Sequence, residues 1–173
     1  TKVLGLVKAN AYGHGLVEIA RALAHEGSDY LGVGFLEEGI ALREAGLTLP
    51  ILVLGGVVGN QIKDFLLHRL EITVSSLEIA RRINDEAGDG AKARIHLKID
   101  TGMERIGVRS ERALPFVEQV MQLPNVEIVG LYTHLATADE QDKTFAREQV
   151  SRFNAVLDAL RQKGIRIPLT HLA

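Results

Sequence analysis

Apolar residues fall along the chain in short, nearly continuous runs. Between them lie stretches whose apolar positions recur every three or four residues. The runs are KVLGLVKA (2–9), YLGVGF (30–35), PILVLGG (50–56), LEITVSS (70–76), ARIHLKID (93–100), VEIVGLYTHLA (126–136) and IPLTHLA (167–173). Each has the length and β-branched content of a buried strand. The intervening stretches predict helices. His14–Glu26 sets Leu16, Ile19, Ala20, Leu23 and Ala24 on one face and stops at Gly27. Leu36–Glu44 stops at Gly46, and Asn60–Leu67 is short. Ser76–Ala87 has Ser75 or Ser76 as its N-cap, and Ser110–Leu123 has Ser110 capping with Pro115 near its first turn. Gln141–Lys163 is a long amphipathic helix closed by Gly164.

Strands separated by helices imply parallel strands joined by right-handed crossovers. Their Val/Ile/Leu character implies that both sheet faces are covered. A doubly wound open sheet and a (β/α)8 TIM-type barrel both satisfy this rhythm. The succession of six βα units and the start of a seventh strand favours the barrel, incomplete in this chain, because a full one takes about 250 residues. The chain opens and closes on core-like strands, so it reads as a piece of a longer protein.

The chain of 173 residues is 46% hydrophobic and 24% charged, with a formal net charge of -2. Nothing there draws it to nucleic acid or to an anionic membrane, and no apolar run is long enough to span a bilayer. Cysteine is absent. That removes disulfides, thiolate catalysis and cysteine-based zinc sites, and it is compatible with a reducing compartment.

Barrel sites form at the C-terminal ends of strands. There stand Lys8, Asn10, Tyr12 and His14, then LGGV (54–57), then Lys98 and Asp100 with the loop TGMERIGVR (101–109), which contains Arg105. Tyr132, His134 and ATADE (136–140) follow, and then His171. Lys8 reads either as a snorkelling strand-end lysine or as a Schiff-base amine held rigidly beside apolar surface. The turn AYGHG after it offers backbone N–H groups to an anion. Arg105 reads as a surface charge or as a fixed cationic fork beside an anionic oxygen. His134 reads as an ordinary strand-end histidine, as a flat wall against an aromatic cofactor, or as a proton carrier. Lys98 alternates with Ile95, Leu97 and Ile99; if it points inward it needs a counter-charge, with Asp100 as one partner, or a neutralising modification. His25, His68 and His96 lack metal-ligand spacing and read as structural or exposed. Asp64, Glu71, Glu86 and Asp89 read as solvated charges, and LGGV is a weak phosphate-loop candidate.

These segments resemble the alanine racemase family. VKANAYGHG is similar to its pyridoxal-phosphate attachment motif, LKIDTGMERIGVR to its mid-barrel motif and GLYTHLATADE to the next. THLA resembles the start of a further one. The resemblance covers essentially the whole chain. It implies that residues 1–173 are a partial cofactor-binding barrel domain and that a C-terminal β domain lies outside this sequence. It implies that Lys8 holds pyridoxal 5'-phosphate and is one of two bases, and that Tyr12 bonds the phosphate. Leu54 then packs near the ring, Arg105 sits by the phenolic oxygen and the substrate carboxylate, and His134 stacks on the ring. Lys98 falls where some members carry a carbamylated lysine. The resemblance further implies a cytoplasmic homodimer that interconverts L- and D-alanine, supplying D-alanine for peptidoglycan. Its second base is a tyrosine of the partner's C-terminal domain. No metal, nucleic acid or membrane partner is expected. Two alternatives stand beside it. One is a racemase for serine or another amino acid, or a fold-related decarboxylase. The other is a non-catalytic barrel fragment that binds the cofactor weakly or not at all.

Overall fold

The computed structural model describes residues 1–88 and 90–172. The notional solvated charge Asp89 lies outside them. The chain divides into two compact units, Thr1–Thr73 and Val74–Ala173.

The first unit runs β1 (Leu4–Leu6), α1 (Lys8–Tyr12), α2 (Leu16–His25), β2 (Tyr30–Val33), α3 (Leu36–Glu44), β3 (Ile51–Val53), α4 (Ile62–Leu67) and β4 (Glu71–Val74), whose last residue falls past the boundary. All its strand pairs are parallel: Gly5 faces Leu31, Gly32 faces Leu52, and Val53 faces Ile72. Every residue of β2, β3 and β4 is buried, as their continuous apolar character requires. Helices α3 and α4 add Leu36, Leu42, Ile62 and Phe65 to this core. Burying a side chain of this size stabilises by about 1.5–3 kcal/mol.

One sequence expectation fails here. Glu71, read as solvated, is buried at 3% exposure in β4, opposite Leu52. Its counter-charge is Arg43 of α3. Burial lowers the Arg43 pKa, and the Glu71 carboxylate offsets part of that. The Arg43 guanidinium also donates to the carbonyls of Leu47, Leu49, His68 and Arg69 at 2.7–3.1 Å. A buried carboxylate is tolerated beside such a partner. Asp64 and Glu86 are exposed as expected.

The second unit runs α5 (Leu77–Ala87), β5 (Ala93–Asp100), β6 (Val108–Arg109), a 3-10 turn (Ser110–Arg112), α6 (Ala113–Val120), β7 (Val126–Thr133), α7 (Thr144–Gln162) and β8 (Leu169–Leu172). Strand β5 pairs in parallel with β7, and β7 with β8, while the two-residue β6 pairs with Ile99 and Asp100. Ser76 caps α5, its Oγ accepting from Ile79 N at 3.2 Å. Ser110 does not cap α6. The β6 pairing holds Arg109 extended, the 3-10 turn follows, and Arg112 takes the capping position. The β5–β7 register shifts between Ile95 and His96, and His96 then faces Gly130. A Cβ at Gly130 would collide with the His96 ring, so the glycine makes room for a buried imidazole.

Candidate active site

In the first unit the site begins where β1 ends. Val7 is fully buried, and its N–H extends the ladder to Gly32 O at 2.9 Å. Lys8 comes next, half-buried and outside the strand rather than at its tip. Four residues with positive φ follow: Ala9 (53°), Asn10 (55°), Ala11 (50°) and Tyr12 (55°), ended by Gly13 (96°). A left-handed turn of L-residues costs roughly 1–2 kcal/mol per residue. It therefore needs strong local bonds, and it has them. Ala11 N donates to Val7 O at 2.8 Å, Gly13 N and Gly15 N to Asn10 O at 3.0 Å, and His14 N to Ala11 O at 3.1 Å. The Asn10 side chain then accepts from Leu16 N at 2.8 Å, fastening the start of α2. This overturns the reading of AYGHG as an anion-binding nest: the amides of Ala11, Gly13, His14 and Gly15 are spent on the turn itself. What the turn offers an anion is the Tyr12 hydroxyl, on a side chain 61% exposed.

Gly34 lies against the Lys8 stem, and Gly55 packs on Gly34. A Cβ at Gly34 would lie 3.5 Å from Lys8 Cβ, and one at Gly55 would run into the Gly34 carbonyl. Leu54, half-buried at the end of β3, donates its N–H to Val33 O at 2.9 Å and covers Gly32 with its Cδ1. The unit thus places Lys8 and Tyr12 after β1 and Leu54 after β3, the two strands that flank β2. An amine, a phenol and an apolar side chain suit an aromatic aldehyde that carries an anionic arm.

In the second unit Lys98 points inward, only 5% exposed, and its Nζ lies 5.3 Å from the centre of the Tyr132 ring. The Tyr132 ring stacks on His171, with centroids 4.6 Å apart and planes 5° apart. His171 Nε2 lies 3.3 Å from His96 Nδ1. Burial, and then His96, push the His171 pKa down to about 4, so this ring is neutral at pH 7. Asp100 shapes the next loop: its Oδ1 accepts from Gly102 N at 2.9 Å and Glu104 N at 3.1 Å. Arg105 stands exposed on that loop.

His134 follows β7 and is half-buried. Sequence reasoning missed the residue that holds it. Gln149 of α7 is fully buried, and its Nε2 donates to His134 O at 3.2 Å and Thr101 Oγ1 at 3.3 Å. Its Oε1 accepts from Ala136 N at 2.8 Å. Thr101 Oγ1 also lies 2.8 Å from Thr133 Oγ1, and Arg152 Nη1 donates to Thr101 O at 2.8 Å. One amide therefore ties together the roots of the loops that carry Arg105 and His134. The signal was present: Ala146, Gln149, Phe153, Val156 and Leu160 form the buried stripe of α7, with one amide among apolar residues.

Solved structures place this arrangement in a class. The alanine racemase of Clostridium difficile 630 in complex with cycloserine matches with a TM-score of 0.96 at 40% identity, covering 99% of this chain and 48% of that one. The alanine racemase of Bacillus anthracis with bound L-Ala-P matches with a TM-score of 0.91 at 33% identity, covering 100% of this chain and 45% of that one. The fold is a parallel-strand α/β part-barrel, an incomplete TIM barrel. Among the curated relatives, the alanine racemase of Halothermothrix orenii is 44% identical over 171 residues, which are 98% of this chain and 45% of that protein. The chain thus spans about half the length of the relatives it matches. The profile of the family described as "Alanine racemase, N-terminal domain" matches residues 1–173, and the chain belongs to that family.

Proposed function

We propose that this chain is the lysine-bearing part of a pyridoxal-phosphate-dependent racemase that interconverts L- and D-alanine. Membership of the alanine racemase family along the whole chain carries the reading, and the mounting of Lys8 supports it. Alanine rather than serine is the substrate because the relatives are named for alanine.

When bound, pyridoxal phosphate supplies an electron sink that makes the Cα–H bond of an attached amino acid labile. Lys8 would hold it through the side-chain amine, and as a base that amine would take or return the Cα proton on one face. Tyr12 donates its hydroxyl hydrogen to the phosphate. Leu54 packs beside the ring, and His134 presents the flat of its imidazole to it. Arg105, permanently charged, binds the phenolic oxygen and the substrate carboxylate. Carbamylation of Lys98 turns a buried cation into an anion suited to orienting that arginine. A tyrosine from the C-terminal β domain of a partner subunit serves the opposite face, so the working enzyme is a homodimer; as in the family, it is read as cytoplasmic. Its product is D-alanine for peptidoglycan.

Chiral chromatography of L-alanine incubated in D2O with the full-length polypeptide and pyridoxal phosphate tests this. D-Alanine carrying one deuterium at Cα is expected, and Lys8→Ala abolishes it. An unlabelled, unracemised pool from the folded protein sinks the reading.

A further inference from the structure

Glu38 occupies the third position of α3, where a glutamate ordinarily reaches back to the N–H of the residue before the helix. That bond is present, from Phe35 N to Oε2, but at 3.2 Å it is the longest of three. The two short ones run from Ala9 N to Oε1 and from Gly34 N to Oε2, each at 2.7 Å. Ala9 directly follows Lys8. Gly34 flanks the Lys8 stem, since a Cβ there would lie 3.5 Å from Lys8 Cβ and 3.3 Å from Glu38 Oε2. One carboxylate therefore ties the amide that follows the lysine to the Gly34 backbone beside the lysine's stem. Its bonds are charge-assisted and about twice as strong as neutral ones. Its own mounting is firm: Leu36 and Leu42 of α3 are buried, and Gly39 packs against Leu70.

We propose that Glu38 is a positioning residue for Lys8, fixing the start of the left-handed turn from which the amine reaches the cofactor aldehyde. This rests on the function proposed above. A glutamine keeps the size of Glu38 but has only one acceptor oxygen, so it cannot receive Ala9 on one atom and Gly34 with Phe35 on the other.

The test compares the full-length polypeptide with Glu38→Gln and with Glu37→Gln, whose parent side chain is exposed and accepts from Gln61 Nε2 at 3.3 Å. Two rates are read: covalent capture of pyridoxal phosphate at Lys8, trapped with borohydride and located by peptide mapping, and amide hydrogen exchange at Ala9 and Gly34. In Glu38→Gln capture slows roughly 10- to 100-fold and both amides exchange faster, whereas Glu37→Gln matches the parent. Capture at the parent rate in folded Glu38→Gln overturns the inference, even if the thermal midpoint drops, because only the helix cap is then lost. Should that variant not fold, exchange in the parent decides. Protected Ala9 and Gly34 amides support the clamp, and amides as labile as exposed ones overturn it. A parent that forms no Lys8 adduct overturns the proposed function itself, and the inference with it.

Discussion

At the scale of the residue, the second unit depends on a tight arrangement of rings. Gly130 is there because the His96 imidazole fills the space of its missing side chain. Gly130→Ala therefore displaces the ring and destabilises by about 1–3 kcal/mol in urea unfolding. An unchanged midpoint contradicts the packing described. His171 adds a pH dependence. Its pKa falls from 6.5 to about 4 on folding, through burial and then His96. Above pH 6.5 both folded and unfolded states hold it neutral, and its contribution is complete. Between 6.5 and about 4 the unfolded chain takes a proton that the folded chain refuses, so stability falls as pH falls. The full effect is on the order of 3 kcal/mol. Urea midpoints measured across this window decline in the parent and decline less in His171→Asn; equal slopes contradict the assignment. Residue by residue, the sequence disclosed the candidate groups Lys8, Lys98, Arg105 and His134. It hid the polar pairings, because these join partners far apart along the chain: Arg43 with Glu71, Glu38 with Ala9, and His96 with His171, which are 28, 29 and 75 positions apart.

At the scale of the element, hydrophobic periodicity located α3 and β5 to the residue and placed the other long segments within a few positions. It could not reveal two features. The turn after Lys8 is left-handed over Ala9–Tyr12, a conformation that no local preference of alanine or tyrosine suggests. Strand β6 has two residues, too few for any period. Helix α7 carries a consequence that its amphipathic pattern does disclose, a glutamine on the apolar stripe. Gln149→Leu leaves Thr101 Oγ1 without that partner in a buried setting, and Ala136 N and His134 O in a partly buried one. A loss of roughly 2–4 kcal/mol is expected in denaturant unfolding, with weaker binding of pyridoxal phosphate. A neutral substitution contradicts the role given to this amide.

At the scale of the whole molecule, the strand-and-helix rhythm with apolar runs was enough to choose parallel α/β, and the succession of six βα units and a seventh strand favoured the barrel over the open sheet. Among the described residues β1 pairs with β2 and β8 with β7, which leaves one side of each strand unpaired. Unpaired edges invite association. The isolated 173-residue chain is therefore expected to self-associate in light scattering; a clean monomer with cooperative unfolding contradicts this. The most direct measurement is the intact mass of the full-length polypeptide after mixing with pyridoxal phosphate and reduction by borohydride, with peptide mapping of the product. The left-handed turn and the Glu38 clamp predict one adduct, on Lys8, lost in Lys8→Ala. Adducts scattered over exposed lysines, or none on Lys8, would contradict the assignment of this turn as the cofactor's anchor.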